Sequence, residues 1–567
     1  MLVNLAVLQE LIAGAIPERE AVLWDDRVVT YADLNSRSRQ LGHALLGFGL
    51  GCHTDRARLQ PWESGQDHVA LYLYNGTEFL EGLYGALKAR AVPININYRY
   101  VEEELVYVLA ISGAKAIIYH SAFAPRLAAI RDQLPALRHL IQVTDDSGEP
   151  LLPGAIWYEG LLGSQATGPL DLPYSADDLY ILYTGGTTGM PKGVVWRHED
   201  VFYNGLGGHI PGFNRIETEA QLLEHINMGL GGRALICAPF MHGAGQWTAF
   251  NTFHRGGTVV LPRETRRLDP HAAWRAVERH QVDSIGLIGD SFALPLLRAL
   301  REKRYETASV RVLMSTAAVL SASVREELLS HLPASTLVVE SIGATEAGLQ
   351  AMSYDTRSAH AGLPAYDLRA GSVILSNDRR RVLAPGAGSE VGWIASTGHL
   401  PLGYLGEPER TQEVFPVIDG VRYSITGDRA RYGENGRVLF LGRESSCINT
   451  GGEKVYVEEV ERIVKSHPAV HDTLVVGVRS ERWGQQVTAV IVPTPGQAPP
   501  TIDDLRSHCR THLADYKIPR ALVTATEIVR SPSGKPDYAW ARQYAEEQST
   551  VESRESRVEG RRSTVDS

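Results

Sequence analysis

The chain has 567 residues, of which 44% are hydrophobic and 22% charged. That balance excludes a disordered chain, a fibrous protein and a disulfide scaffold, and at roughly 100–200 residues per domain it predicts two to four packed units. The formal charge of −10, with no sustained basic run, argues against a nucleic-acid binder.

In chain order, the first element is an N-terminal helix with Leu5, Leu8 and Ile12 on one face, ending near Pro17. It lacks a basic leader region and Glu10 interrupts its apolar run, so it reads as a folded helix rather than a signal peptide. Residues 52–66 are polar and irregular and read as a surface loop. A strand over Val69–Tyr74, a helix over Glu78–Lys88 and a strand over Ala116–Tyr119 follow. Residues 146–170, rich in Gly, Pro and Ser, read as a linker. Strands at Arg233–Ala238, Thr258–Leu261 and Arg311–Ser315 are interleaved with helices at His271–His280 and Ser323–His331. The alternation predicts an α/β fold with largely parallel sheets. A smaller α+β unit is expected from about residue 443, with helices Val457–Ser466 and Ile502–His512 and strands Thr473–Val478 and Val487–Val492. Residues 546–567 are charged and nearly without large apolar side chains, so a disordered tail is expected.

No apolar run reaches the 18 or so residues of a membrane span. Cys52, Cys237, Cys447 and Cys509 form no CxxC and no zinc spacing, which points to a reduced compartment and a cytoplasmic protein. Lysine is scarce, at 8 residues against 48 arginines, so each one is informative.

The strongest chemical signal is Tyr183-Thr-Gly-Gly-Thr-Thr-Gly-Met-Pro-Lys-Gly-Val194. Glycines let successive N–H groups approach an anion, hydroxyls add donors, and Lys192 adds charge. It is not a Walker A loop, because Lys192 lies between Pro191 and Gly193 instead of opening a helix. Four clusters follow: Glu340-Ser-Ile-Gly-Ala-Thr-Glu346 after a β run at Thr336–Val339, Ser424-Ile-Thr-Gly-Asp428, Gly442-Arg443 ahead of Ile448-Asn-Thr-Gly-Gly-Glu-Lys454, and Ser531-Pro-Ser-Gly-Lys-Pro-Asp537. Taken singly, Asp428 reads as a turn residue, Glu346 as a solvated helix charge and Lys535 as a surface lysine. Their joint order carries the functional reading.

With these motifs the chain, from about residue 18 to about residue 543, resembles the adenylate-forming enzymes: acyl-CoA synthetases, adenylation domains and luciferases. Leu73-Tyr-Asn-Gly-Thr-Glu-Phe-Leu-Glu81 and Val194-Val-Trp-Arg-His-Glu-Asp200 look most like actinobacterial FadD-type acyl-CoA synthetases, a group that includes steroid side-chain ligases. The resemblance implies a large N-terminal α/β domain (1–442) with a β-rich part, holding ATP and the acid. It implies a small mobile α+β domain (443–545) carrying the lysine. Thr184, Gly185, Gly186, Thr187, Thr188, Gly189 and Lys192 would hold the β- and γ-phosphates of ATP. Thr345 would bind the α-phosphate and Glu346 would hold Mg2+. Ala318, Glu340, Ser341, Ile342 and Gly343 would line the nucleotide. Asp428 would accept from the ribose hydroxyls, assisted by Arg443. Lys535 would bridge the carboxylate and the α-phosphate, where a cation offsets charge that builds as two anions meet.

Three positions depart from the family's pattern. Ile342 stands where an aromatic residue often stacks on adenine, Ser445 where the hinge is commonly Asp or Lys, and Val457 where Pro is frequent. The resemblance places the acid near Pro239-Phe-Met-His-Gly-Ala-Gly-Gln246, with His242 beside the carboxylate and Gly245 near the substrate, while Gly289 is a small residue expected to line the acid's pocket. Gly205, Gly207, Gly208 and Gly286 are small residues that favour a bulky or long acid. Ser291, in Gly289-Asp-Ser-Phe-Ala293, lacks the last glycine of a nucleophile elbow and reads as a loop residue. The implied reaction is adenylation of a long-chain fatty or steroid side-chain acid. A domain rotation then presents Gly451 and Gly452 to coenzyme A, and the thioester forms with release of AMP. The rivals are an acyl-AMP ligase serving a separate carrier protein and a non-catalytic nucleotide-binding relative. Loose membrane association and a homodimer are left open.

Overall fold

The computed structural model describes residues 1–184, 190–209, 215–316, 318, 320–355, 365–386, 390–433, 436–450, 453–480, 482–530 and 534–548. The chain begins with the helix Leu5–Ala15, capped by Asn4, whose side chain accepts from the N–H groups of Ala6 and Val7. Leu5, Leu8 and Ile12 are buried, as their spacing requires. Glu10, which breaks the apolar run, pairs with Arg39 and with the fully buried Lys88. Against the cost of burial, those cations bring its carboxyl down to about 2.

A five-stranded parallel sheet runs in the order Val92–Asn95, His68–Tyr72, Ala116–His120, His139–Val143, Ala155–Trp157. The polar stretch 52–66 is irregular apart from one short turn of helix at Arg56–Arg58. The linker expected over 146–170 is corrected in part. Ala155–Trp157 is the sheet's edge strand and Tyr158–Gly163 is a helix. Tyr158, Leu161 and Leu162 are buried, and the Tyr158 hydroxyl donates to Glu81 at 2.7 Å. Three apolar anchors outweigh the Gly/Ser composition around them.

Among the described residues the larger sheet has thirteen strands. Its parallel part joins Glu20–Trp24, Thr258–Leu261, Arg233–Ile236, Ser284–Leu287, Val312–Thr316 and Leu337–Ala344, with Arg27–Thr30 as an antiparallel edge strand beside Glu20–Trp24. Helices Gly243–His254, Pro270–His280, Gly289–Glu302 and Ala322–Ser330 make the crossovers that parallel pairing needs. Thr258-Val-Val-Leu261 is buried throughout, as a strand covered on both faces should be. From Leu337–Ala344 onward the pairing turns antiparallel, through Gly348–Asp355, Ala365–Leu368, Val438–Arg443, Ser424–Tyr432, Gly392–Ser396 and Ser372–Leu375. A small antiparallel sheet of Leu179–Thr184, Lys192–Arg197 and Gly403–Tyr404 lies apart.

After Arg443 a second unit forms around the long hairpin Val470–Ser480 and Gly484–Pro493, extended by Ile448–Thr450, Glu453–Val455 and Ala521–Thr524. The helix Val457–Lys465 buries Val457, Val460, Ile463 and Val464, one apolar stripe at helical spacing. Residues 538–548 are helical, with Ala541 and Ala545 buried. The tail expected from 546 is therefore corrected at its start, where residues 546–548 close this helix. Residues 549–567 lie outside the described residues. All four cysteines are free, and among the described residues no helix is long and apolar enough to cross a membrane.

Candidate active site

The strands on either side of the glycine- and hydroxyl-rich stretch pair antiparallel. Thr184 ends one strand directly opposite Lys192, which starts the next. Gly185, Gly186, Thr187, Thr188 and Gly189 lie outside the described residues. Lys192 opens a strand, so the loop is not a Walker arrangement. The buried Asn95 holds the base of the hairpin. Its Nδ2 donates to the carbonyls of Tyr183 (2.9 Å) and Met241 (2.7 Å), and its Oδ1 accepts from Tyr183 N–H (2.8 Å). One amide thus ties the loop's first strand to the segment that carries His242. Asn75 holds the same segment from another side, donating to Ala238 O and accepting from Phe240 N–H.

His242 precedes the helix Gly243–His254 at its N-cap position, without a side-chain capping bond. A Cβ on Gly243 would sit 3.6 Å from Thr345 Oγ1, so this helix begins beside the Thr345 hydroxyl, with the positive end of its dipole there. Burial, with Lys535 and Arg99 adding to it, takes His242 down to about 4, so the imidazole is neutral at pH 7. Gly245 is required by close packing, because a Cβ would meet Pro239 O at 2.5 Å.

Thr345 and Glu346 follow the strand Leu337–Ala344 and are pinned from three sides. The Trp196 indole donates to Thr345 O (2.9 Å), the Ser424 hydroxyl to Glu346 O (2.7 Å) and the Tyr404 hydroxyl to Glu346 Oε1 (3.1 Å). Gly348 completes the turn at φ +68°, and a Cβ there would overlap the Asn204 side chain. On the same strand, Ile342 leans on the apolar cluster containing Ile374, Leu383 and Val438, and the backbone of Gly343 lies against Gly348. The Glu340 carboxylate faces Arg325 at 3.7 Å, while Ser341 is partly buried. The N–H of Ala318 donates to Thr316 O.

Asp428 and Arg443 face each other across two antiparallel strands, with Arg443 Nε 3.0 Å from Asp428 Oδ1. Thr426 donates to the other oxygen at 2.8 Å. Asp428, ahead of an opposing burial cost, holds the Arg443 guanidinium more firmly protonated than usual. Lys535 comes from the small unit into this same cluster. Burial and then Arg443 lower its pKa, opposed by Glu346 and Asp428. Two cations, two carboxylates, a neutral histidine and a helix N-terminus therefore lie within electrostatic reach of one another, where two anions could be brought together.

Other expectations fare differently. Gly205 and Gly208 leave no open space, because Trp247 fills the place beside Gly205, and Phe202 and Tyr203 crowd Gly208. Gly289 adopts φ +49° at the start of the helix Gly289–Glu302. Ser291 is corrected from a loop residue to one in that helix's first turn, its hydroxyl donating to Ile288 O at 2.6 Å. Gly451 and Gly452 lie outside the described residues, as does the side chain of Ser445. Asn95, Asn204, Trp196 and Tyr404 escape sequence reasoning, since each acts on residues 88 to 149 or, for Tyr404, 58 positions away.

Among the described residues no group of three or more His, Cys, Asp and Glu side chains could cage a metal ion. Glu346 offers one oriented carboxylate, which suits magnesium, an ion that keeps few protein ligands and leans on phosphates and water.

Residues 11–404 match the family model for AMP-binding enzymes, and residues 459–535 match that for the AMP-binding enzyme C-terminal domain. The medium-chain acyl-CoA ligase Mig of Mycobacterium avium is 44% identical over 541 residues, covering 94% of this chain and 96% of that protein. The 3-oxocholest-4-en-26-oate–CoA ligase of Rhodococcus rhodochrous is 38% identical, covering 96% of each chain. Among solved structures, the anthranilate CoA ligase AuaEII with anthranoyl-AMP superposes with a TM-score of 0.79 at 21% identity, covering 96% of this chain and 98% of that one, which shows a shared fold.

Proposed function

Since this chain belongs to the AMP-binding enzymes, we propose that its two half-reactions share one site, built on Thr345, Glu346, Asp428, Arg443 and Lys535. It is an AMP-forming acyl-CoA ligase: a carboxylic acid is activated with ATP as acyl-AMP and then passed to coenzyme A. The observation that carries the site assignment is the entry of Lys535 into the field of Glu346, Asp428 and Arg443, beside His242.

Each proposed role follows from chemistry. The Thr184–Lys192 hairpin receives the β- and γ-phosphates, with Lys192 at its mouth. Thr345 and the N-terminus of the helix Gly243–His254 meet the α-phosphate. Asp428, oriented by Arg443 and Thr426, accepts from the ribose hydroxyls. Glu346, oriented by Tyr404, holds Mg2+, which when bound neutralises phosphate charge. Lys535 draws the acid and the α-phosphate together and stabilises charge on the oxygens as the new bond forms. Neutral His242 packs beside the carboxylate without adding a further positive charge to that of Lys535. Ile342 offers adenine an aliphatic face.

The proposed acid is a fatty acid of medium length. The relative sharing 44% identity carries a medium-chain name, and Trp247 occupies the space that Gly205 would have opened to a bulkier group. Identity of 38% to a steroid-acid ligase favours a second reading, a steroid side-chain acid. With free cysteines and a need for ATP and coenzyme A, the cytoplasm is the proposed location. The test is pyrophosphate release over acids from acetate through long fatty acids to cholesterol-derived side-chain acids, with and without coenzyme A. The strongest release is expected for medium-chain acids, with AMP appearing only when coenzyme A is added. Release without any coenzyme A step would move the assignment to a carrier-loading ligase.

A further inference from the structure

We propose that Asp290 is a docking latch that holds the small unit in the orientation where Lys535 enters the site. The proposal rests on the reading that this unit turns between the two half-reactions.

Asp290 is the second residue of the helix Gly289–Glu302, in the large domain, and its side chain is nearly buried. Its Oδ1 accepts from the N–H of Ser321 at 2.9 Å. Its Oδ2 meets the ammonium of Lys465, the last residue of the helix Val457–Lys465 in the small unit. The same ammonium lies 3.1 Å from Asp472 Oδ1. Asp472 also receives Arg530 Nη2 on both oxygens, at 2.9 and 2.8 Å. Arg530 is paired with Pro536 by a β-bridge, so it stands at the foot of the loop that carries Lys535. A chain of charges thus runs from the large domain through Lys465 and Asp472 to the base of the lysine loop.

A second contact converges on the same helix terminus. Gly534, immediately before Lys535, adopts φ +80°, and a Cβ there would overlap the Ser291 hydroxyl and lie 3.4 Å from Ile288 Cγ2. Ser291 is fixed by its bond to Ile288 O. Adjacent residues of one helix therefore receive both the small unit's helix and the lysine loop. Lys465 is one of only 8 lysines beside 48 arginines, and its compact ammonium reaches the carboxylates of Asp290 and Asp472 together. Removing one member of a buried ion pair leaves an uncompensated charge, so the docked orientation loses population when either partner is neutralised.

The test separates the half-reactions. Asp290→Asn keeps an acceptor for Ser321 N–H but loses the charge, and Lys465→Met keeps the Asp472–Arg530 pair. Pyrophosphate formation from acid and ATP is measured for each, together with acyl-CoA formation from a synthetic acyl-adenylate. Expected is a loss of roughly 10- to 100-fold in pyrophosphate formation, with thioester formation unchanged or faster. A proportional loss of both rates would mean a merely structural role, and retention of both within twofold would mean no latch. Either result overturns the proposal. The wild-type chain run in both halves tests the ligase reading itself, whereas the latch is read from the ratio of the two rates in the variants.

Discussion

Arg443 Nε stands 3.0 Å from Asp428 Oδ1, on strands that place the two residues directly opposite each other. The pair lies fifteen positions apart in sequence, and Arg443 ends Val438–Arg443, the last strand in chain order of the larger sheet. The Asp428 carboxylate is nearly buried, so its direction is set by Arg443 and by Thr426.

Asp428→Asn keeps the shape and removes the charge that the ribose hydroxyls would meet. Hydrogen bonds to a charged group are worth about 1.5–3 kcal/mol. The ATP KM should rise roughly 10- to 100-fold, with a smaller change in the KM for the acid. Steady-state kinetics at saturating coenzyme A checks this.

Two carboxyls of the helix Val457–Lys465 are expected to shape stability against pH. Burial first, then Asp428, raises Glu458 to about 7, opposed by the N–H of Arg443 and the Ser446 hydroxyl. Burial and then Glu458 raise Glu461 to about 8, opposed by Val475 N–H, the Tyr538 hydroxyl and Arg530. The folded chain therefore holds protons that the unfolded chain has released. Their contribution is complete below about pH 4.5 and is lost as pH rises through the folded values, so stability should fall towards about pH 8 and then level. Glu458→Gln and Glu461→Gln should flatten that slope in Tm measured from pH 5 to pH 9.

Asn95→Ala would strand the Tyr183 N–H and the carbonyls of Tyr183 and Met241. A loss of about 1–3 kcal/mol in stability is expected from buried groups left without partners. The ATP KM should rise as well, because the hairpin base is no longer tied to the acid segment. Urea unfolding and ATP kinetics on the same variant check both.

Much of the fold and site was legible because the relevant signals are local. A continuous apolar run marked Thr258–Leu261, helical spacing marked the helix Pro270–His280, and each motif around Thr345, Asp428 and Lys535 is contiguous. The residues that orient those motifs are not. Tyr404, Trp196 and Asn204 reach Glu346, Thr345 and Ala347 only after the sheets assemble. Glycine proved ambiguous for the same reason. Gly205 read as room for substrate, but Trp247 packs there from another helix. Composition also hid Tyr158, Leu161 and Leu162, whose burial depends on a partner surface that no local window contains.

The most direct test of one site serving two half-reactions is Lys535→Ala, assayed separately for pyrophosphate formation from acid and ATP and for acyl-CoA formation from a synthetic acyl-adenylate. The account predicts a fall of roughly 100- to 1,000-fold in the first, the range for removing one charge-stabilising donor, with the second within a few-fold of wild type. An unchanged rate of pyrophosphate formation would contradict it.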